Sequence, residues 1–292
     1  MPLESVYLFS RWIHFTLLFI YSGCCFYTAL LAPRRWRLTL SHRLSSFTLY
    51  SAGGCLLSAW LLLAAQVGLM GDGWHDIMMP GVWQSVFSTA FGRMWQIQLW
   101  LPIISLSALF FTQQFGRNLA LLSALIQLCG LAMVGHAAMY DGMLGILQCI
   151  NQSIHLISAA FWIGGLVPLT VIMRAAYRES SRCDAICTMM RFSSYGHFAV
   201  ALVLVTGIID SWILLGFPPR SFQLYNQLLS VKVLLVMLMI AIAFYNRYWL
   251  VPRFQRADYQ AQQRFIAATC LELVLATCVL TLVSFLATLS PG

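Results

Sequence analysis

The chain has 292 residues, of which 60% are hydrophobic and only 9% are charged. Its apolar stretches repeatedly exceed the roughly 20 residues that span a bilayer, which excludes an ordinary soluble domain. These runs are continuous rather than alternating, so the sequence predicts an all-α polytopic membrane bundle and not a β-barrel. The net charge of +8 reflects membrane topology and contact with the lipid bilayer, and it does not indicate nucleic acid.

The apolar runs predict eight transmembrane helices in a single membrane domain, residues 1–292. They cover residues 6–31, 44–69, 95–111, 119–134, 147–173, 194–215, 228–248 and 266–289. The first run is too long for a signal peptide and carries Arg11 and His14, so we expect it to remain as a helix. We find no convincing internal repeat in the sequence.

The distribution of arginine predicts the orientation of the bundle. Loops one, three, five and seven carry thirteen arginines, whereas the opposite loops carry only Arg93 and Arg220. Because basic residues are retained in the cytoplasm, both termini are expected in the periplasm of a bacterial inner membrane. In the longest outward loop, Trp83, Phe87 and Phe91 recur every fourth residue, which predicts a helix lying on the membrane surface.

Two histidines lie deep inside apolar runs. His14 and His155 are each about eight residues in from the predicted outer side, where a titratable group in hydrocarbon marks a site or a pathway. Arg11 shares a helix face with His14, and Gln152 shares one with His155. We expect Arg11 and Gln152 to have a structural or relay role. An intramembrane histidine can instead simply donate to a carbonyl on the next helix, and both interpretations stay open.

Asp210 and Lys232 lie in the outer halves of the sixth and seventh spans. Lys232 is the only lysine in the sequence, and Asp210 is the carboxylate at a comparable depth in a neighbouring span. A lone ammonium in an apolar run is expected to pair with such a carboxylate. The sequence therefore predicts a buried ion pair with a structural or relay role.

Soft metal ligands cluster on the predicted outer side. Met78, Met79, Met139 and Met143 lie there, together with His136 at the outer end of the fourth span. Thioether and imidazole together favour Cu(I), whereas Mg²⁺ or Ca²⁺ would call for carboxylates and carbonyls. Methionine is also a common flexible filler in membrane proteins, so the cluster can equally be structural.

Several segments together form a specific pattern that covers essentially the whole chain. They are Arg11 to His14, Ala32-Pro33, Gly135-His136-Ala137, residues 154–166, 190–193 and 196–200, Gly216-Phe217-Pro218-Pro219, residues 227–229 with Lys232, and residues 246–248 and 251–253. This pattern resembles the copper resistance protein D (CopD) family. The resemblance implies an inner-membrane protein of copper homeostasis that moves copper from periplasm to cytoplasm. It also implies a periplasmic copper-binding partner, CopC, as a separate chain, but it assigns no copper ligands.

We therefore expect copper, as Cu(I), to arrive at the outer methionines and His136 and to pass to His14 and His155. The sequence contains no nucleotide-binding motif, so gradients or trapping would drive transport. Two alternatives stay open. His14 and His155 at equal depth would suit the axial ligands of one b-type haem in a redox protein, and a copper-delivery or assembly factor would present metal without transporting it. We do not expect an enzyme, since no nucleophile with a base and an orienting group stands out.

Overall fold

A computed structural model describes residues 2–111, 113–135, 141–176, 181–215, 224–254 and 259–289. In these ranges the chain is almost entirely helical and contains no strand. Lipid offers no hydrogen-bond partner to a free backbone, so each long apolar run satisfies its own amides and carbonyls by forming a helix. The predicted all-α fold is confirmed.

The helices fall into two successive groups along the chain. The first group contains α1 (Leu3–Phe26), which continues as a π-helical turn (Tyr27–Leu31), then α2 (Arg37–Met70), the short α3 (Pro80–Ser88), α4 (Ala90–Ala108) and α5 (Gln114–Ala132). The second contains α6 (Gly142–Ala175), α7 (Arg182–Leu215), α8 (Leu224–Tyr245), a π-helical turn (Asn246–Leu250), α9 (Val251–Phe254) and α10 (Tyr259–Leu286). Short 3₁₀ turns, Arg34–Trp36 and Trp74–Met78, precede α2 and α3.

Within the described residues, seven helical segments are long and apolar enough to cross a membrane. They are built on α1, α2, α5, α6, α7, α8 and α10, and each corresponds to a predicted span. The remaining predicted span, residues 95–111, corresponds to α4, which has 19 residues but includes Arg93, Gln96 and Gln98, so its hydropathy is lower. The count of eight spans and the periplasmic position of the termini therefore stay predictions.

A helix, α3, forms at the predicted place, but it is shorter than the aromatic pattern indicated, and its position on the membrane surface stays a prediction. Thr89 ends it and caps the next helix, because the Thr89 hydroxyl accepts a hydrogen bond from the Gly92 amide at 3.0 Å. Phe91, the third aromatic of the pattern, therefore belongs to α4. Its ring stacks on that of Trp95, with the ring centroids 5.2 Å apart.

The centre of the bundle is the pair α1 and α6. Helix α1 packs against α2, α5, α6 and α10, and helix α6 packs against α7, α10, α1 and α5. Where the pair meets, a Cβ added to Gly164 would overlap the carbonyl oxygen of Phe19, and one added to Gly23 would overlap the carbonyl oxygen of Gly164. Only glycine allows two helix backbones to approach this closely.

The two central helices run parallel. The last turns of α1 and α6 share one hydrophobic cluster, which includes Leu31 and Met173 together with Leu40 from the start of α2. At the other end of the bundle, Gly68 near the end of α2 lies against Leu3 in the first turn of α1. We refer to the end at which Leu3 lies as the N-terminal end of the bundle, and to the end at which Leu31 and Met173 lie as the opposite end.

Candidate functional site

His14 is fully buried where α1 meets α2 and α4. Its Nδ1 lies 2.9 Å from the Ser58 hydroxyl oxygen on α2, and its ring centroid lies 6.0 Å from that of Trp95 on α4. The Ser58 hydroxyl already donates to the carbonyl oxygen of Gly54 at 2.7 Å. Because a hydroxyl has a single proton, the donor between His14 and Ser58 is the Nδ1–H of the histidine.

This tautomer leaves the Nε2 atom of His14 with a free lone pair. The atom is buried and has no hydrogen-bond partner in the part of the chain that the structure describes. Leaving such an acceptor buried and unpaired costs about 1–3 kcal/mol. A neutral imidazole that donates through one nitrogen and offers the other is also the usual form of a metal-binding histidine. His14 Nε2 therefore has the chemistry of a metal ligand.

His155 repeats the same arrangement between α6 and α7. Its Nδ1 lies 2.8 Å from the Thr206 hydroxyl oxygen, and that hydroxyl donates to the carbonyl oxygen of Leu202 at 2.6 Å. The Nδ1–H of His155 is again the donor, and its Nε2 keeps the lone pair. His155 differs from His14 in being only half-buried, with its ring lying beside Gly207.

The two histidines lie at the same depth but on opposite sides of the α1–α6 pair. His14 is nine residues before Gly23, and His155 is nine residues before Gly164, the two glycines that touch. Nine helical residues span about 13.5 Å and about two and a half turns, so each imidazole points away from the contact line. Their hydrogen bonds to α2 and to α7 agree with this. The structure thus does not bring His14 and His155 together, either around one copper ion or around one haem.

Asp210 is held by two side-chain amides. Its Oδ1 accepts hydrogen bonds from Gln148 Nε2 at 2.8 Å and from Asn151 Nδ2 at 2.6 Å. Lys232 is near enough for its charge to act on Asp210, but no nitrogen–oxygen distance of 4.0 Å or less joins these two described residues. The predicted buried ion pair does not form as a direct contact, because the amides of α6 occupy the carboxylate and the ammonium lies farther away.

Arg11 and Gln152, the other predicted relay residues, form no hydrogen bond with the histidines. The guanidinium carbon of Arg11 lies 5.2 Å from the centroid of the Phe15 ring, which is a cation–π distance. Gln152 is half-buried and makes no side-chain hydrogen bond to any residue that the structure describes. A relay role for either residue stays a prediction.

The predicted outer ligands are described only in part. Met78 and Met143 are 85% and 72% exposed, and Met79 is 42% exposed. All three lie at the N-terminal end, in the turn before α3 and in the first turn of α6. His136 and Met139 lie outside the described residues. Among the described residues, no three or more His, Cys, Asp or Glu side chains are grouped to hold a metal ion, so a site here would depend on methionines and single histidines.

The partners of the predicted site residues were not identified from the sequence. Ser58 and Thr206 are small residues in apolar runs, and hydroxyls of this kind usually bond their own helix. Amides inside spans are a clearer signal, and Asn151 could have been identified in this way. Gln98 and Gln127 stand out for the same reason, and Gln98 Nε2 donates to the carbonyl oxygen of Gln127 at 2.7 Å, which joins α4 to α5.

A cavity of about 730 Å³ lies at the opposite end of the bundle, between α6, α7, α8 and α10. Its lining is mostly apolar but includes Met189, His197, Asn246 and Glu272. Glu272 is 2% exposed. Its Oε2 accepts a hydrogen bond from Asn246 Nδ2 at 3.1 Å, while its Oε1 has no partner among the described residues. A free buried carboxylate oxygen in a cavity can receive a cation or a proton.

Two family models match this chain. Copper resistance protein D-like, N-terminal domain, matches residues 2–146, and Copper resistance protein D matches residues 186–286. The chain is 40% identical to Inner membrane protein YebZ of Escherichia coli (strain K12) over 96% of this chain and 97% of that protein. It is 27% identical to Copper resistance protein D of Pseudomonas syringae pv. tomato over 82% and 81% of the two chains. It is 28% identical to Copper transport protein CutJ of Bacillus subtilis (strain 168) over 85% of this chain and 47% of that protein. No solved structure matches.

Proposed function

Because the chain belongs to the copper resistance protein D family, we propose that it moves copper from the periplasm to the cytoplasm across a bacterial inner membrane. One relative is named an inner membrane protein, and the seven long apolar helices suit a multi-pass protein of that membrane. Following the arginine distribution, the N-terminal end of the bundle faces the periplasm in this proposal.

The observation that carries the proposal is the Nε2 of His14, which is buried and has no hydrogen-bond partner among the described residues. Imidazole nitrogen and thioether sulfur are both ligands that Cu(I) accepts. The exposed methionines at the N-terminal end, Met78 and Met143 among them, supply thioethers at the surface. His136 and Met139 are the next ligands on the predicted inward path of copper. Copper would then reach His14 by ligand exchange, without a fully hydrated intermediate.

The driving force and the exit follow from the same arrangement. An inside-negative potential favours inward movement of a monovalent cation by about 2.3 kcal/mol per 100 mV. The cavity at the opposite end is the proposed exit, because the thioether of Met189 and the carboxylate of Glu272 line it. The Met189 thioether can hold a soft cation briefly, and the Glu272 carboxylate can offset its charge, before the cation leaves for the cytoplasm.

A separate CopC-like periplasmic protein is the proposed copper donor. Surface thioethers such as those of Met78 and Met143 can exchange Cu(I) with a soft donor site on another protein. In lipid nanodiscs, the chain should take copper from a purified CopC-like protein, and replacing Met78 and Met143 by leucine should slow the transfer. Transfer that is equally fast in the leucine variant would remove these methionines from the entry path.

Copper accumulation in cells tests the transport proposal. His14→Asn separates ligation from structure, because the asparagine amide can still donate to Ser58 while the Nε2 ligand is lost. In a copper-starved bacterial host, we expect this variant to reduce cell copper to the level of cells without the protein. His42→Ala is the matched control, since His42 is an exposed histidine of α2, and it should accumulate copper like the parent. A His14→Asn, His155→Asn protein that accumulates copper normally would refute the proposal.

Two further measurements distinguish the alternatives from transport. Proteoliposomes that contain a transporter should take up copper, whereas a delivery factor should bind copper without uptake. A visible absorption spectrum of the purified protein reports haem directly, and a Soret band would favour the redox alternative. The opposite directions of the two histidines already argue against both of them ligating one haem.

A further inference from the structure

We infer that the chain consists of two tandem four-helix units, and that each unit has its own copper site, one at His14 and the other at His155. The identity of the cargo rests on the proposed function. The first unit contains α1, α2, α4 and α5, and the second contains α6, α7, α8 and α10. The expectation that the sequence has no internal repeat is therefore revised.

The repeat becomes visible once the structure shows which helices correspond. Between α1 and α6, residues 141 positions apart match: Ile13 and His14 with Ile154 and His155, Tyr21 with Trp162, and Gly23 with Gly164. Between α2 and α7, which both have 34 residues, residues 148 positions apart match: Arg43, Ser45 and Ser46 with Arg191, Ser193 and Ser194, and Ser58 with Thr206. The chain between the matched positions of α6 and α7 is seven residues longer than that between the matched positions of α1 and α2. No single period therefore reveals the whole repeat.

Helix packing shows the same relation between the units. Within the units, α1 packs against α2 and α5, and α6 packs against α7 and α10. Between the units, α1 packs against α10 while α6 packs against α5. Exchanging the two units leaves these contacts unchanged, as a two-fold axis would, although α2 also packs against α4 and no comparable contact joins α7 to α8 among the described residues. The axis passes through the contact of Gly23 with Gly164 and follows the parallel helices, so the units form a parallel repeat about the membrane normal.

The histidines are equivalent in chemistry as well as in position. In the first unit, His14 Nδ1 lies 2.9 Å from a hydroxyl that donates to the carbonyl four residues earlier. In the second unit, His155 Nδ1 lies 2.8 Å from such a hydroxyl. Both histidines therefore present Nε2 as the free ligand atom, on opposite faces of the central pair. If His14 binds Cu(I) through Nε2, His155 has the same means to bind a second ion.

The surroundings of the two histidines differ, and this predicts different exchange rates. His14 is fully buried, whereas His155 is half-buried. Asp210 occupies the position that corresponds to Leu62 in the first unit, so the second site is also more polar. Lys232 also lies near enough for its positive charge to act on His155, so copper at His155 should be held less tightly and should exchange faster with a water-soluble chelator than copper at His14.

Binding stoichiometry tests the inference. The purified full-length chain in nanodiscs is titrated with Cu(I), without oxygen, against a chromophoric chelator. Counting only copper that stays bound in competition with the chelator, we expect two equivalents for the parent and for the His42→Ala control, one for His14→Asn, one for His155→Asn, and none for the double variant. If the parent binds one equivalent that either single variant abolishes, the two-site inference is overturned while the proposed function stands. If the parent binds no copper, the proposed function fails as well.

A second measurement needs no variant and so does not depend on a mutant's folding. X-ray absorption of the parent, loaded with one and then with two equivalents of Cu(I), should show imidazole nitrogen scattering per copper at both loadings. A second equivalent bound by sulfur alone would overturn the site at His155. Release to the chelator should have a fast and a slow phase, and His155→Asn should remove the fast one. Loss of the slow phase instead would contradict the assignment.

Discussion

Replacing Gly164 by alanine should force the two central helices apart. The new Cβ would overlap the carbonyl oxygen of Phe19, a backbone atom that cannot rotate away. Overpacking costs 1–3 kcal/mol, and a backbone neighbour places this case near the upper end, at about 3 kcal/mol. The better helix propensity of alanine offsets about 1 kcal/mol. The net loss of about 2 kcal/mol corresponds to a melting temperature lower by roughly 4–8 °C.

The matched control for this substitution is Gly53→Ala in α2. A Cβ at Gly53 would meet nothing within 4 Å, so this variant should be as stable as the parent or more stable by up to about 1 kcal/mol. Thermal unfolding in detergent, followed by tryptophan fluorescence, measures both variants. If Gly164→Ala melts together with the parent, α1 and α6 do not touch at this point. The depth and the opposite directions of His14 and His155, both derived from that contact, would then be refuted.

Substitutions at three other contacts should have distinct effects. Ser58→Ala should destabilise the protein by about 1–3 kcal/mol in thermal unfolding, because it leaves a buried N–H without an acceptor; Ser58→Thr should not. In double-mutant cycles, Asp210→Ala should couple more strongly to Asn151→Ala than to Lys232→Ala, because the Asn151 amide contacts the carboxylate and the Lys232 ammonium does not; the reverse order would support the predicted ion pair. Arg35 forms an ion pair with Asp184 at 2.9 Å, but the arginine is 75% exposed, so Arg35→Ala should cost at most about 1 kcal/mol, and less at high salt; a larger, salt-independent loss would contradict this.

The helices could be predicted from hydropathy because lipid leaves the backbone no other choice. The exception shows the limit of that reasoning. Helix α4 is less apolar than the other long helices, partly because of Gln98, yet the Gln98 amide is satisfied by the backbone of Gln127 on α5. That hydrogen bond is a tertiary contact, and no pattern within one helix reports it.

The candidate site was predictable in composition but not in geometry. His14 and His155 could be selected because a polar group in an apolar run is costly, and counting residues gave their depth. Their directions depend on which faces of α1 and α6 touch, which a single sequence does not contain. Asp210 was assigned to Lys232 on charge alone, but Asn151 lies closer along the neighbouring helix, and a neutral amide satisfies a carboxylate without desolvating a second charge.

The backbone contact between Gly23 and Gly164 also limits how the two halves can move. Side chains can change rotamer and let packed helices slide, but carbonyl groups in contact cannot. The contact therefore acts as a pivot point, about which the crossing angle between α1 and α6 can change. The histidines lie about 13.5 Å from it along the helices, so a rotation of about 10° would displace each imidazole by about 2.4 Å. That distance is comparable with a metal–nitrogen bond of about 2 Å, so in the proposed transport a small tilt of a central helix relative to its neighbours would be enough to break or form a bond between copper and a histidine.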